Sequence, residues 1–213
     1  VYSVAPVLAH LKGRQFQSLG QAAQEIHVEL FGRGSGYSNY MREYEAYCIG
    51  RFDEAWAARV PGLPYKTPYE ALTIASIVEK ETGVPAERSQ IAGVFVRRLR
   101  QGMRLQTDPT VIYGLGDQYD GNLRRKHLRD RTNIYNTYAI PGLPPTPIAL
   151  PGEAALRAVF SPDHSDTLYF VAKGDGTHAF SRSLAEPEQA VRRYQLSRRA
   201  DYQSSPQAPS PQH

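Results

Sequence analysis

Cysteine is nearly absent from this sequence, and so are long apolar runs. Cys48 is the only cysteine, which rules out an intrachain disulfide and a cysteine metal cluster but does not fix the cellular compartment. No run of about 18 or more apolar residues occurs, so we expect no membrane span in this chain. Its opening residues, VYSVAPVLAHLKGRQF, lack the basic start and apolar block of a signal peptide.

The common motifs of metal and phosphate chemistry are missing as well. The 6 histidines are scattered along the chain, and no HExxH or CxxC spacing occurs, so we predict no metal site. There is no GxxxxGKS/T or GxGxxG loop to hold a phosphate group. The serine of GRGSGYS does not follow a clear strand, so it does not form a nucleophile elbow.

Charge and aromatic content point to a function class only weakly. Lys+Arg 25 against Asp+Glu 21 gives a net charge of +4, which favours anionic partners slightly. The basic residues near the C-terminus indicate a solvated face, and without a recognition motif we expect no nucleic-acid binding. The 14 tyrosines outnumber the 7 phenylalanines, which suits half-buried packing or amphipathic contact surfaces such as sugar-binding ones.

Three segments are predicted along the chain. Residues 1–60 contain weakly patterned helical stretches around the glycine-rich GRGSG, and we interpret them as a divergent N-terminal helical segment. The proline-rich PGLPYKTP marks a boundary, after which residues 61–203 form the main domain. The last residues, 204–213, are predicted to be a disordered tail.

The main domain is predicted to be α+β and helix-rich, with one small antiparallel hairpin. The clearest helix runs from about Pro68 to Thr82, and a second with a 3.6-residue apolar period runs from about Pro85 to Gln101. A short helix follows a turn for which Asp108 is a candidate cap. The proline-rich GLPPTPIALPG predicts an irregular loop. Beyond it, the patterns predict a helix in GEAALRAVF, a hairpin in DTLYFVAKGDGTHAFSR and a basic terminal helix in EPEQAVRRYQLSRRADYQ.

Glu81 occupies an unusual position in the first of these helices. It continues the apolar series Ile74, Ile77 and Val78 at i, i+3, i+4 and i+7. Glu79 falls outside that face. A carboxylate that faces apolar surroundings loses hydration in its charged form, so its pKa rises unless a cation compensates. A raised pKa is what a general acid requires near neutral pH.

Other interpretations of these side chains remain open at this point. Glu81 could lie at a frayed helix end, reach solvent, or pair with an arginine such as Arg97 or Arg104. Asp108 could cap a helix or orient a substrate, and His178 follows the hairpin turn as a candidate surface histidine. Periodicity and composition therefore lead to one candidate buried acid near a proline-rich loop, which is compatible with glycan chemistry.

Three long motifs follow one another between about residues 60 and 195. They are LTIASIVEKETGVPAERSQIAGVFVRRLRQGMRLQTDPTVIYGLG, YNTYAIPGLPPTPIALPGEAALRAVFSP and LYFVAKGDGTHAFSRSLAE. In content and order they resemble the catalytic core of the MltG/YceG-like endolytic murein transglycosylases. The resemblance implies cleavage of the β-1,4 bond between N-acetylmuramic acid and N-acetylglucosamine within peptidoglycan strands. It also implies that the reaction proceeds without water and leaves a 1,6-anhydromuramic end.

The resemblance also implies roles for individual residues. Glu81, the second glutamate of EKE, matches the essential glutamate of the family. Gln106, Asp108, Asn136 and Tyr138 lie in matched motifs and are candidates for holding the sugar or its N-acetyl groups. For Asp108 a general-base role is the alternative. His178 is a further candidate substrate contact. The resemblance implies no cofactor.

This sequence departs from the family pattern in three places. Arg97 stands where relatives usually have asparagine, EPE stands at 186–188 where they have EHN, and an upstream aromatic segment is not recognisable around LFGRGSGYSNY. Two rival functions therefore stay open: a muramidase-type hydrolase that uses water, and a non-catalytic peptidoglycan-binding scaffold.

For the whole protein, the resemblance implies a setting in the cell wall. Relatives act on nascent glycan strands at the periplasmic face of the bacterial inner membrane, close to peptidoglycan synthases, which are therefore candidate partners. Full-length relatives also carry a membrane anchor and a LysM-like module, which we expect outside the motifs recognised here.

Overall fold

Residues 52–183 are described by a computed structural model of the protein. They contain α-helices and a two-stranded antiparallel sheet, which confirms the predicted α+β class. The predicted N-terminal helices, terminal helix and tail lie wholly or largely outside the described residues. None of the helices within residues 52–183 has the length and apolar character needed to cross a membrane.

Apart from the short helix Arg125–Arg129, which the sequence patterns did not predict, the helices and strands fall close to their predicted positions. A helical stretch over 52–57 comes first. The second predicted helix begins with a 3₁₀ turn, Pro85–Glu87, before it becomes an α-helix, and another 3₁₀ turn spans Gly116–Gln118. The α-helices are α1 Pro68–Glu81, α2 Arg88–Arg100, α3 Asp108–Leu115, α4 Arg125–Arg129 and α5 Glu153–Phe160, and the strands are β1 Tyr169–Ala172 and β2 His178–Ser181.

Helix α1 has well-defined ends. At its start the Thr67 hydroxyl accepts a hydrogen bond from the Glu70 backbone N–H (3.2 Å), while the Glu70 carboxylate accepts one from the Thr67 N–H (3.3 Å). This capping box satisfies N–H groups that have no partner within the helix. Pro68 occupies the first turn, where its missing N–H is not needed. The helix ends at Glu81 because Thr82 adopts an extended conformation.

Helix α1 is the central element of the core. Its middle is buried on most sides, since Ala71 and every residue from 73 to 78 are inaccessible or nearly so. Helix α5 packs against both α1 and α2, and these two also pack against each other. The fully buried apolar side chains at the centre of this packing include Ile74, Ile77, Val78, Ile91, Phe95 and Val159. The apolar face predicted for α1 is therefore a true core face.

The hairpin attaches to the outside of α2. Its strands pair antiparallel, with Phe170 opposite Phe180 and Ala172 opposite His178. The Phe170 ring packs edge-to-face on Phe95 of α2 with ring centroids 5.7 Å apart, a favoured aromatic geometry. This contact holds β1 against α2.

The proline-rich loop is held by hydrogen bonds with helix α1 and with a neighbouring loop. The fully buried Ser76 hydroxyl of α1 accepts a bond from the Ile148 N–H (2.9 Å) and donates one to the Thr73 carbonyl (2.7 Å). The Tyr135 and Thr146 hydroxyl groups are 2.9 Å apart. A segment that cannot form regular structure therefore has a fixed course alongside α1.

Removing the Ser76 hydroxyl tests this anchor. We expect Ser76→Ala to lower the free energy of unfolding by about 1–3 kcal/mol, because the buried Ile148 N–H loses its acceptor. Urea denaturation measures the change, and Ser161→Ala at an exposed position is the matched control, with an expected change within about 0.5 kcal/mol. Equal effects of the two substitutions would contradict the assigned role of Ser76.

Candidate active site

Glu81 lies at the C-terminal end of α1, where the helix meets the segment that leads into α3. Its carboxyl oxygen Oε1 accepts a hydrogen bond from the hydroxyl of Thr107, a residue that is itself buried. Glu81 is partly buried, so it lies neither in the sealed core nor free in solvent. Glu79 behaves differently, because its carboxylate accepts a bond from the Gly152 N–H (3.1 Å) just before α5. The two glutamates of EKE thus have separate surroundings.

The surroundings of Glu81 change its protonation. Loss of hydration on burial is the largest influence and raises the pKa of Glu81 from 4.5 to about 7. The Thr107 hydroxyl opposes this shift because it stabilises the ionised carboxylate. The negative charge of Asp108 raises the pKa further, and the positive charge of Arg98 lowers it. Near neutral pH both protonation states of this carboxyl are therefore populated.

Arg98 is the cation that acts on Glu81. It is buried and donates hydrogen bonds to the carbonyl groups of Leu168 (2.7 Å) and Leu105 (2.7 Å). Burial lowers the pKa of Arg98. The neighbours suggested by the sequence are engaged elsewhere: Arg104 donates to the Tyr138 carbonyl (3.2 Å), and Arg97 binds a different loop.

Arg97, the departure from the family pattern in α2, has a structural explanation. Its guanidinium donates to the Asp163 carboxylate (3.1 Å), and its Nε donates to the Thr167 carbonyl (2.6 Å). A short asparagine side chain cannot span this set of acceptors. Arg97 therefore holds the loop between α5 and β1 against α2, away from Glu81.

The exposed Asp108 and the half-buried Tyr138 form a polar pair beside Glu81. The Tyr138 hydroxyl donates to the Asp108 carboxylate (2.7 Å). Burial, and then the charge of Asp108, raise the pKa of Tyr138, so the phenol keeps its proton. Thr107, not Asp108, precedes α3 as its N-cap residue, which corrects the expected cap. The Asp108 carboxylate is thus available at an exposed residue next to the candidate acid.

Gln106 adopts a backbone conformation that is rare for its residue type. Its φ of 54° is the only positive value at a non-glycine residue within the described part of the chain. Its N–H donates to the Thr137 carbonyl (3.2 Å), while the residue itself is exposed. Such strain persists where surrounding structure enforces it, often at functional sites. Gln106 is thus an exposed residue that directly precedes Thr107, the hydrogen-bond partner of Glu81.

Asn136 has surroundings that do not suit the predicted sugar contact. It is fully buried, and its Nδ2 donates to the carbonyl groups of His127 (3.1 Å), Leu128 (3.1 Å) and Asp130 (2.7 Å). Its Oδ1 accepts a bond from the Tyr138 N–H (3.0 Å). Both ends of the amide are occupied, so this geometry gives Asn136 a structural role: it shapes the loop that carries Tyr138.

His178 is also buried, which corrects its interpretation as a surface histidine. Its Nδ1 lies 2.8 Å from a carboxylate oxygen of Glu87, and its backbone N–H donates to the other oxygen (2.8 Å). Glu87 also accepts a weak bond from the Thr82 hydroxyl (3.4 Å). The pair thus links β2 to the residue that follows Glu81, and a direct sugar contact of His178 stays a prediction.

The sequence patterns did not reveal Thr107, Arg98 or Glu87. Arg98 lies on the apolar face of α2, at i+7 from Ile91, but only the fold shows that its charge acts on Glu81. Thr107 lies on no such face and contacts Glu81 across 26 positions of the chain. Glu87 contacts His178 across 91 positions. For Thr107 the available signal was its position between the two motif residues Gln106 and Asp108.

Two cavities in the described region lie away from Glu81. Two cavities of about 420 and 360 Å³ are lined by other residues, one beside the start of α1 and one beside Arg97. Within residues 52–183 no group of three or more His, Cys, Asp or Glu side chains is placed as metal ligands would be. The candidate site is defined by one partly buried carboxyl and the polar groups beside it.

Comparison with known proteins identifies the family. A model of the YceG-like family matches residues 37–193, which is most of the chain. The chain therefore belongs to the YceG-like family, and the resemblance found in its motifs is confirmed.

Individual relatives agree with this assignment. A protein of Bacillus subtilis named endolytic murein transglycosylase is 42% identical over 126 residues, which cover 59% of this chain and 34% of the relative. A Streptococcus pneumoniae protein of the same name is 39% identical over 109 residues, covering 50% of this chain and 20% of the relative. The crystal structure of a YceG-like protein from Listeria monocytogenes matches with a TM-score of 0.60 and 34% identity, over 74% of this chain and 50% of that one. The chain thus spans half or less of the length of these proteins.

Replacing Glu81 by glutamine tests its raised pKa through stability. Because the pKa is about 7 in the fold against 4.5 ordinarily, the folded state keeps a proton that the unfolded chain releases. The carboxyl therefore destabilises the fold increasingly as pH rises through this window. We expect Glu81→Gln to match the wild type near pH 4 and to be more stable at pH 8, by up to about 3 kcal/mol.

Urea denaturation between pH 4 and pH 8 measures this difference. The matched control is Glu79→Gln, which removes a carboxylate that accepts a bond from the Gly152 N–H and should lower stability at pH 8. A stability difference between Glu81→Gln and the wild type that does not change with pH would contradict the raised pKa.

Proposed function

We propose that this chain acts as a lytic transglycosylase on peptidoglycan. It would cleave the β-1,4 bond between N-acetylmuramic acid and N-acetylglucosamine within glycan strands and form 1,6-anhydromuramic ends. The observation that carries the proposal is the Glu81 carboxyl, whose pKa of about 7 suits both donation and removal of a proton. The names of the bacterial relatives support the same reaction class.

In the first step Glu81 acts as general acid. Its protonated carboxyl donates the proton to the glycosidic oxygen while the bond to C1 of the muramic sugar breaks, and an oxocarbenium-like sugar develops. The partial burial of Glu81 favours the neutral form that this step requires. The Thr107 hydroxyl then stabilises the carboxylate that proton transfer leaves behind.

In the second step the same carboxylate acts as general base. It takes the proton of the muramic 6-hydroxyl as this oxygen forms a bond to C1, which closes the anhydro ring and restores the protonated Glu81. The nucleophile belongs to the substrate, so its effective concentration is high and it can outcompete water. One carboxyl is sufficient for this cycle, whereas ordinary glycoside hydrolysis uses two.

The exposed polar groups around Glu81 provide contacts for the sugar. In this proposal Asp108, held by the Tyr138 hydroxyl, orients hydroxyl groups of the substrate, and the Gln106 amide binds an N-acetyl group. Asn136 acts indirectly by fixing the loop of Tyr138. His178 is placed to support the end of α1 through Glu87 and Thr82.

The second candidate function is a muramidase-type hydrolase. The observation that favours it is Asp108, a second carboxylate close enough to raise the pKa of Glu81. In that mechanism Asp108 would activate water or attack C1. A non-catalytic scaffold would bind strands and leave them intact, with or without the Glu81 carboxyl.

The cellular setting is part of the proposal. Action at the periplasmic face of the inner membrane, next to peptidoglycan synthases, follows from the family resemblance and stays a prediction. The use of nascent strands as the substrate is likewise a prediction from the family resemblance.

Product analysis separates the three functions. Incubating un-crosslinked glycan strands with the protein should give anhydromuramic ends by mass spectrometry, and Glu81→Gln should lower the rate at least about a thousandfold because the proton donor is lost. Glu79→Gln, which removes the other glutamate of EKE, is the matched control and should retain activity. Reducing ends would support the hydrolase instead, and equal product from the wild type and Glu81→Gln would refute any catalytic role of Glu81.

The pH dependence of kcat/KM tests the surroundings of Glu81. Since Glu81 must be protonated in the free enzyme, kcat/KM should fall as pH rises through the Glu81 pKa of about 7. Thr107→Val removes the bond that favours the ionised form, so the fall should move to higher pH, while Thr107→Ser should keep it in place. Asp108→Asn removes a negative neighbour and should move the fall to lower pH. Shifts in the opposite directions would show that these neighbours do not act as assigned.

A further inference from the structure

A short exposed segment carries a dense positive charge that the reaction scheme does not use. It comprises residues 124–131 and is called the basic segment here. Four of its cations, Arg125, Lys126, Arg129 and Arg131, are exposed. They lie on α4 and in the turn that follows it.

These four cations lack acidic partners within residues 52–183. Arg124, which precedes them, pairs with Asp120 at 2.6 Å. One oxygen of the Asp130 carboxylate, Oδ1, accepts hydrogen bonds from the N–H (2.8 Å) and the hydroxyl (2.6 Å) of Thr132. The four exposed cations outnumber the single carboxylate of Asp130 within the segment, so the basic segment keeps a net positive charge that is available to an external anion.

The basic segment is fixed to the candidate active site by one buried side chain. The Nδ2 of Asn136 donates to three carbonyl groups at the end of α4, those of His127, Leu128 and Asp130. The Oδ1 of the same amide accepts from the N–H of Tyr138, whose hydroxyl binds Asp108. The backbone at the end of α4 thus has a fixed position relative to Asp108, and the cations extend from that fixed backbone.

We propose that the basic segment binds the carboxylates of the stem peptides on the glycan strand, next to the bond that is cut. This inference rests on the proposed function, because it assigns the anion to the same substrate. A glycan backbone has few charges, whereas its peptides carry carboxylates at regular intervals. The rigid link through Asn136 favours a group on the bound strand over a separate anionic surface such as a lipid headgroup layer.

Binding to strands in a Glu81→Gln background tests this inference without cleavage. The variant Arg125→Gln/Lys126→Gln/Arg129→Gln should bind peptide-bearing, un-crosslinked strands about tenfold more weakly at low salt, since each exposed pair contributes modestly. The difference should shrink to less than about twofold at 0.5 M salt because exposed charges are screened. Strands whose carboxyl groups have been converted to amides should bind both proteins equally.

Two control variants separate charge from folding. Lys66→Gln/Arg157→Gln/Arg182→Gln removes the same charge from exposed positions elsewhere and should leave binding unchanged. Arg125→Lys/Arg129→Lys keeps the charge and should retain affinity, and circular dichroism should show the same fold for every variant.

Several outcomes would overturn the inference. The first is equal affinity of the neutralised and parent proteins for strands. The second is a loss of affinity that persists on amidated strands. The third is a loss of affinity only for vesicles of phosphatidylglycerol, which would assign the segment to a lipid surface. Cleavage by the wild type is measured separately. Strands that are cut without charge-dependent binding would refute this inference alone, and charge-dependent binding without cutting would refute the proposed function alone.

Discussion

The Glu81 carboxyl accepts a hydrogen bond from Thr107 at a position where burial disfavours its charge. These two effects oppose each other, since burial favours the protonated form and the hydrogen bond favours the ionised form. Asp108 and Arg98 add a second opposing pair with smaller effects. The resulting pKa of about 7 allows one carboxyl to serve first as acid and then as base, and the reaction proposed here depends on that balance.

Much of the remaining structure keeps this balance fixed. The capped, buried helix α1 presents Glu81 at its end, and the buried Asn136 amide fixes the loop that brings Tyr138 to Asp108. The Glu87–His178 pair ties the hairpin to the residue after Glu81. These buried polar groups are hydrogen-bonded, as burial requires, so they hold the surrounding segments in place.

The sequence predicted the fold well where the signal was local, and the site less completely. The apolar period located Glu81 on the core face of α1, and the glycine-bearing turn located the hairpin. The sequence offered Arg97 or Arg104 as alternative partners of Glu81, whereas Arg98 acts on it. Arg98 lies at i+7 from Ile91, on the buried face of α2, so the apolar period contained its inward direction but not its effect on Glu81. The buried state of Asn136 and the bond from Thr107 arise from contacts between distant segments, which periodicity does not record.

Direct titration of the Glu81 carboxyl tests the central claim most directly. In protein labelled with ¹³C at glutamate side chains, the carboxyl resonances can be followed by NMR from pH 3 to pH 9, and the Glu81 signal is the one missing in Glu81→Gln. A midpoint near pH 7 for that signal is the predicted result. A midpoint near 4.5, the ordinary value for glutamate, would contradict it, because a carboxyl that is already ionised at neutral pH cannot begin the proposed bond cleavage.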